Sequence, residues 1–342
     1  MAVTIRDVAR VSGVHVSTVS RAFTAAHLVN PETRARVLAA AEELGYRPNR
    51  AARALSTRRT GNLGLIVADI ANPFFPPLLK AAQAQARARD YHVFIADTDE
   101  QSRVEEELVR SMAKQVDGAV LVAPRLTNTA ITALAEELPL VVVNRRPPGV
   151  PGVLMDVGSG ARKAMEHLLA LGHREIALLS GPGRAWTSGE IERAANRVAD
   201  DHGVLIQRIG PNPPTEEGGR AAAEEVAASG ATAVLAHNDL VAFGLIRRSA
   251  ELGLSVPGDL SVVGVDDSHL ARYTAPALTT VHMPVAEAGR GAVDLLLQSV
   301  TSGGSAGTVS LETALVVRDS TAPPPGNTSA APPPVTGDDA AG

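Results

Sequence analysis

At 342 residues, the chain is too long for one ordinary core of about 100–200 residues, so two or three domains are expected. Aromatic residues are only 3% of the chain and cysteine is absent, which leaves aliphatic cores and excludes disulfides, thiolate nucleophiles and cysteine metal sites. The net charge of -5 hides a split: residues 1–60 carry ten arginines against four acids, a balance of +6, and the remainder carries -11. A basic segment ahead of an acidic body is the pattern of one piece meeting a polyanion while the other does not, although a solvated basic face has the same composition.

The opening MAVTIRDVAR is charged within its first turn, and no later stretch approaches 18 uncharged apolar residues, so a soluble cytoplasmic protein with no membrane partner is expected. Ile5, Val8 and Ala9 recur at helical spacing after Thr4, an N-cap with Asp7 three residues on. Gly13 ends this helix, and a second begins near Val16, so two helices meet at a turn of three or four residues. Val14 and Val19 are predicted to face a small core, and Val16, Ser17 and Arg21 to lie near the exposed face, where Arg21 can reach a guanine edge. A third helix is predicted from Pro31 to Leu44, with Asn30 as cap and Gly45 as stop. Residues 48–60 (PNRAARALSTRRT) have helix formers but too little apolar surface to fold alone.

Beyond Gly61 the pattern changes to apolar runs alternating with helical stretches. LGLIVA (63–68), HVFIA (92–96), GAVLVA (118–123) and LVVV (140–143) form one series. EIALLS (175–180), VLIQRI (204–209), TAVLAH (232–237) and LSVVGVD (260–266) form a second. Such continuous runs predict parallel strands buried on both faces. Two βα arrays predict two doubly wound subdomains with a cleft beyond the strands' carboxyl ends. The loops to search are then 69–75, 123–126, 144–147, 181–188, 237–239 and 266–273. The Pro-rich stretch from Ser320 onward is predicted to be disordered.

The stretch TIRDVARVSGVHVSTVSRAFT, with VNPETRARVLAAAEELGYRPNRAARALSTRRTGNLGLIV behind it, resembles the headpiece and hinge of the lactose-repressor (LacI/GalR) family of bacterial transcription regulators. The likeness continues through DIANPFF, LGHREIALLSGP, HNDLVAFG and LSVVGVDD to about residue 321. It implies an α/β protein with an all-α helix-turn-helix headpiece and a type I periplasmic-binding-protein-like core. The implied layout is a headpiece at 1–47, a hinge at 48–60, a core at 61–321 and a tail at 322–342. Within the core, 61–158 and 286–321 make the first subdomain and 159–285 the second.

By the same resemblance, Val16, Ser17, Thr18 and Arg21 fall on recognition-helix positions, and Leu55 on a leucine that wedges into the minor groove. Thr4, Asn30, Thr33, Tyr46 and Asn49 fall on positions that contact phosphates or steady the headpiece. His15 replaces the small cap residue more usual there. Phe74 and Phe75 match an aromatic lip of the effector cleft, Asp266 a ligand-binding carboxylate, and Asn238 and Asp239 the neighbouring loop. Trp186 lies in the loop GPGRAWTSGEIERAANR and is placed to stack on the effector; in the same loop Arg193 supplies the effector clamp if the loop is two residues longer than usual, and without that insertion Ile191 occupies the site and the clamp is missing.

The implied partners are double-stranded, pseudo-palindromic operator DNA, a small effector (a sugar rather than a nucleobase) and a second copy of the chain. No cofactor and no enzymatic activity are expected: GSG at 158–160 is a helix start, and the histidines lack H-E-x-x-H spacing. A transporter's solute-binding protein or a Rossmann-type enzyme would share the core, but the first needs a secretion signal and the second a phosphate loop.

Overall fold

The computed structural model describes residues 3–24, 26–47, 59–302 and 307–326. The chain divides into two compact units, Met1–Gly61 and Asn62–Gly342.

In the first unit, α1 (Ile5–Ser12) and α2 (Val16–Thr24) are joined at Gly13, whose φ of 66° places it in the left-handed region that a non-glycine residue enters at a cost. A short 3-10 turn, Ala26–Leu28, leads to α3 (Pro31–Glu43). Val8, Val19, Ala22, Val37, Ala40 and Ala41 form the core, with Val14, Val16, Phe23 and Tyr46 packed around them. Two of the arginines steady this unit: Arg36 Nε donates to Ser12 O at 3.0 Å and Arg34 Nε to Ala22 O at 3.4 Å. They satisfy carbonyls at helix ends, which the helices themselves leave open.

The second unit contains two six-stranded sheets. The first lobe is built from β1 (Asn62–Val67), α4 (Phe75–Arg87), β2 (His92–Asp97), α5 (Ser102–Met112), β3 (Gly118–Val122), α6 (Asn128–Glu137), β4 (Leu140–Val143) and β5 (Gly152–Met155). The second lobe takes α7 (Val157–Ala170), β6 (Glu175–Leu179), α8 (Trp186–His202), β7 (Leu205–Ile209), α9 (Glu216–Ala228), β8 (Ala233–Ala236), α10 (Asp239–Glu251), β9 (Ser261–Asp266) and β10 (Thr279–His282). The chain then returns to the first lobe as α11 (Val285–Ser302) and β11 (Thr308–Leu311), and ends in the second as β12 (Ala314–Val316). The strand orders are β11-β5-β4-β3-β1-β2 and β12-β10-β9-β8-β6-β7. All neighbours are parallel except β10 and β12.

The structure corrects three sequence expectations. Residues 314–316 pair with β10 in the second lobe, so the final segment does not belong wholly to the first. The chain around Ser320 is ordered: Ser320 Oγ donates to Val262 O, and Ala322 N donates to Ser261 Oγ at 2.9 Å. Runs 92–96 and 204–209 form edge strands rather than strands buried on both faces, with Phe94 46% and Ile95 44% exposed on β2.

The chain passes between lobes three times, and the first and third crossings are bonded to each other. Asp156 N donates to Leu311 O at 2.9 Å, and the Thr313 hydroxyl to Asp156 O at 2.7 Å. The Lys163 ammonium donates to Thr313 O at 2.6 Å.

Candidate DNA-reading headpiece and effector cleft

On α2, Ser17 and Arg21 are exposed, Thr18 is half-buried, and Val16 is half-buried against the headpiece core rather than free on the surface. His15 caps the helix itself: its Nδ1 accepts the Ser17 N–H at 3.3 Å and lies 2.8 Å from Ser17 Oγ. The imidazole thus does the work expected of a small cap residue, and it positions Ser17. Ahead of α1, the Asp7 carboxylate accepts from both the Thr4 N–H (3.0 Å) and the Thr4 hydroxyl (2.7 Å). These bonds hold the Asp7 carboxyl below its usual range. Asn30 Oδ1 accepts the Glu32 N–H at 2.9 Å as the cap of α3. Thr33 is half-buried, and Tyr46 packs against Phe23 with ring centroids 6.0 Å apart. Asn49 and Leu55 lie outside the described residues.

In the second unit, a cleft of about 480 Å3, counted with the space at its mouth, lies among the loops at the strands' carboxyl ends. Of the cleft residues expected from sequence, Phe74, Phe75, Asn238 and Asp266 line it. The two phenylalanine rings meet edge to face at 5.1 Å. Asn72 Oδ1 accepts the Phe74 N–H at 2.9 Å and so fixes where the lip begins. Asn238 caps α10 through its Oδ1 and donates from Nδ2 to Pro214 O at 3.0 Å.

The other three expected residues lie outside the lining. Arg193 is 57% exposed and pairs with Glu190 on its own helix, while Ile191 faces the cleft, so the shorter register of that loop is the one adopted. Trp186 begins α8 and packs against the apolar core, and its neighbour Thr187 lines the cleft. Asp239 is buried behind the wall, accepting from Ser268 N (2.7 Å) and from the Thr280 hydroxyl (2.5 Å). Gly264 makes room for this carboxylate, since a Cβ there would sit 2.4 Å from Asp239 Oδ1. Burial pushes the Asp239 and Asp266 carboxyls up, and a neighbouring carboxyl adds to each, Asp267 for Asp239 and Asp239 for Asp266.

Several lining residues escaped the motif reading. Arg125, after β3, directs Nε and Nη2 to the two carboxylate oxygens of Glu100, the latter bond at 2.8 Å, and Nη1 to Ala123 O at 2.6 Å. Glu105 supports the turn from beneath, its Oε2 accepting the backbone N–H of Arg125 (2.8 Å) and of Leu126 (3.2 Å). Asn144 Oδ1 accepts the Met155 N–H at 3.0 Å, and His237 completes the second-lobe wall. Arg125, Asn144, Thr187 and His237 all fall within the strand-end loops that the topology singles out. Glu100 does not: it lies in the loop after β2, which no motif marks. Six non-glycine residues in the loops at the strands' carboxyl ends have positive φ: Asp99 (49°), Glu100 (60°), Ala123 (51°), Asn144 (55°), Asp266 (124°) and Asp267 (52°). Strained backbone of this kind clusters at sites where side chains are held for a ligand.

At the cleft mouth the lobes touch through polar contacts: Arg184 Nη1 donates to Ser102 Oγ at 2.9 Å, and Arg145 Nη1 donates to Arg184 O at 3.1 Å.

A helix-turn-helix unit and a two-lobed, cleft-bearing core in one chain define a ligand-responsive DNA-binding regulator. Residues 4–49 match the model of "Bacterial regulatory proteins, lacI family", and residues 165–321 that of the periplasmic binding protein-like domain. The transcriptional regulator GalS of Salmonella typhimurium is 35% identical over 317 residues, which cover 90% of this chain and 92% of the relative. The ribose operon repressor of Haemophilus influenzae is 32% identical over 93% of this chain and 98% of its own length. The chain belongs to the lacI family of bacterial regulatory proteins. Among solved structures, the lac repressor dimer bound to operator and the anti-inducer ONPF matches with a TM-score of 0.83 at 28% identity, over 94% of this chain and all of that one. The regulator CelR in complex with cellobiose matches with a TM-score of 0.69 at 30% identity, over 93% of this chain and 99% of that one.

Proposed function

We propose that the protein is a sequence-specific repressor, working in the cytoplasm without enzymatic activity, whose operator affinity is set by a small sugar effector in the cleft. The observation that carries the effector reading is the lining itself. Asn72, Arg125 and Asn144 from one lobe and Asn238 and Asp266 from the other surround a phenylalanine pair, an arrangement suited to a molecule with hydroxyls at its edge and an apolar face. Binding between two lobes joined by three crossings changes their relative populations, which is how the effector alters DNA affinity.

In the headpiece, α2 enters the major groove. Arg21 reads a base edge, Val16, Ser17 and Thr18 make the adjoining contacts, and Thr4, Asn30, Thr33 and Tyr46 engage or orient the phosphates. Asn49 and Leu55 act in the hinge. Two half-sites require two copies related by a two-fold axis, and the exposed Phe94 and Ile95 on edge strand β2 supply apolar surface for a homodimer.

The test is a gel shift of the full chain on DNA from upstream of its own gene, across salt concentrations, with and without pentoses, hexoses and disaccharides. A sequence-dependent, salt-sensitive shift modulated by one sugar is expected. No such shift under any condition refutes the reading.

A further inference from the structure

Among the described residues, one buried polar atom in the cleft lacks a hydrogen-bond partner: Nδ1 of His237. The residue is 8% exposed, at the carboxyl end of β8, and its ring rests on Gly181, where a Cβ would sit 2.4 Å from the imidazole carbons. The seat is therefore shaped for a flat ring. Burial first, and then the nearby Arg125 cation, push the His237 pKa down to about 4, so at neutral pH the imidazole is uncharged, with one donor and one acceptor. A buried polar atom without a partner is destabilising, and on a residue that lines the cleft a group arriving with the ligand would relieve that cost.

The charges around it narrow what that ligand is. The one basic residue lining the cleft, Arg125, is already paired through two bonds with Glu100, and Asp266 adds a second carboxyl. Three of the five guanidinium N–H groups are engaged, which leaves two to hydrogen-bond a neutral oxygen but no uncompensated positive charge. A phosphate or carboxylate entering here would be desolvated beside the Glu100 carboxylate, and the guanidiniums at the mouth, Arg145 and Arg184, lie outside the lining and donate to Asn128, Pro124 O, Arg184 O and Ser102 Oγ.

Building on the effector reading above, we propose that His237 is a specificity-determining residue that receives a hydroxyl of an uncharged polyhydroxylated ligand, and that the cleft rejects phosphorylated or carboxylated forms of that ligand. The Arg125–Glu100 pair supplies the adjoining neutral hydrogen-bonding face.

Thermal shift and titration calorimetry on the full chain test this with D-ribose, D-xylose, D-glucose, D-galactose and cellobiose. Ribose 5-phosphate, glucose 6-phosphate and galacturonate serve as the anionic arm. A neutral sugar is expected to raise the melting temperature while its anionic counterparts do not. His237→Phe keeps a flat ring on Gly181 and removes both ring nitrogens, the unpartnered Nδ1 among them. It should melt above wild type without ligand, yet bind the active sugar on the order of tenfold more weakly. Should phenylalanine prevent folding, His237→Gln carries the same affinity comparison. A response confined to the anionic arm, or unchanged sugar affinity in the variant, overturns the inference while leaving the effector reading intact. No response in either arm overturns both, and operator binding in the gel shift then decides separately whether the repressor reading stands.

Discussion

Glu105 offers a quantitative test of how the cleft floor is held. It is 2% exposed, and both backbone bonds it receives, from Arg125 and Leu126, fall on the same oxygen. Glu105→Ala leaves two buried N–H groups without an acceptor, each worth about 1–3 kcal/mol, for a loss of roughly 2–6 kcal/mol. At about 2–4 °C per kcal/mol for a unit approaching this size, the core melts roughly 5–20 °C lower. Glu105→Gln keeps one oxygen for both donors. Because burial raises the Glu105 carboxyl, the native charge is itself disfavoured, and the amide should cost less than about 1.5 kcal/mol. Calorimetric melting of the three proteins at neutral pH is the assay. An alanine variant within about 2 °C of wild type, or a glutamine variant as damaged as the alanine one, would refute the acceptor role.

Three further outcomes are expected. Arg21→Ala should relax base choice at one position of each half-site, at a cost of about 1–3 kcal/mol, as read by binding selection; equal weakening on all sequences would make Arg21 a phosphate contact instead. Gly244→Ala places a Cβ 1.8 Å from Glu216 O where α9 and α10 cross, so urea unfolding should show a loss of about 1–3 kcal/mol despite the better helix propensity, and a stabilised variant would contradict the packing. The pH dependence has two limbs. The raised Asp239 carboxyl contributes stability that is present below the usual carboxylate range and lost as pH rises through about 7, and the raised Asp266 carboxyl acts in the same direction, while the depressed His237 contributes stability present above its unfolded value of about 6.5 and lost as pH falls through about 4. Asp266→Asn should flatten the alkaline limb of melting temperature against pH; an unchanged limb would place the effect elsewhere.

Much of this was legible in the sequence, for identifiable reasons. Caps and stops bounded the headpiece helices because their effects are local: Asn30 and Gly13 act within one turn. Long apolar runs revealed eight strands of the core. Of the short strands that the sequence does not reveal, β10 (TTVH) and β11 (TVSL) lack the continuous apolar run that marks the equally short β4, and β12 depends on pairing with a strand more than thirty residues earlier. Phe74, Phe75, Asn238 and Asp266 were found because a strand-end loop places its first residues predictably. Which way a helical side chain faces was not legible where the loop length was ambiguous, so Arg193 stood in for Ile191. Arg125 and His237 carry no motif, and their importance emerges only when Glu100, from a different strand end, and Gly181 are brought against them.

The three crossings also govern the order in which this protein can be completed. A chain emerging from the ribosome has its headpiece helices in full once residue 43 is free. The first lobe lacks its α11 cover until residue 302 and its edge strand until residue 311, and the second lobe lacks β12 until residue 316. Because domains fold as units as they emerge, the DNA reader is ready long before either control lobe. A chain interrupted late in synthesis would carry an address for DNA without the completed lobes that answer to an effector, which gives the last few dozen residues of the core a regulatory weight out of proportion to their length.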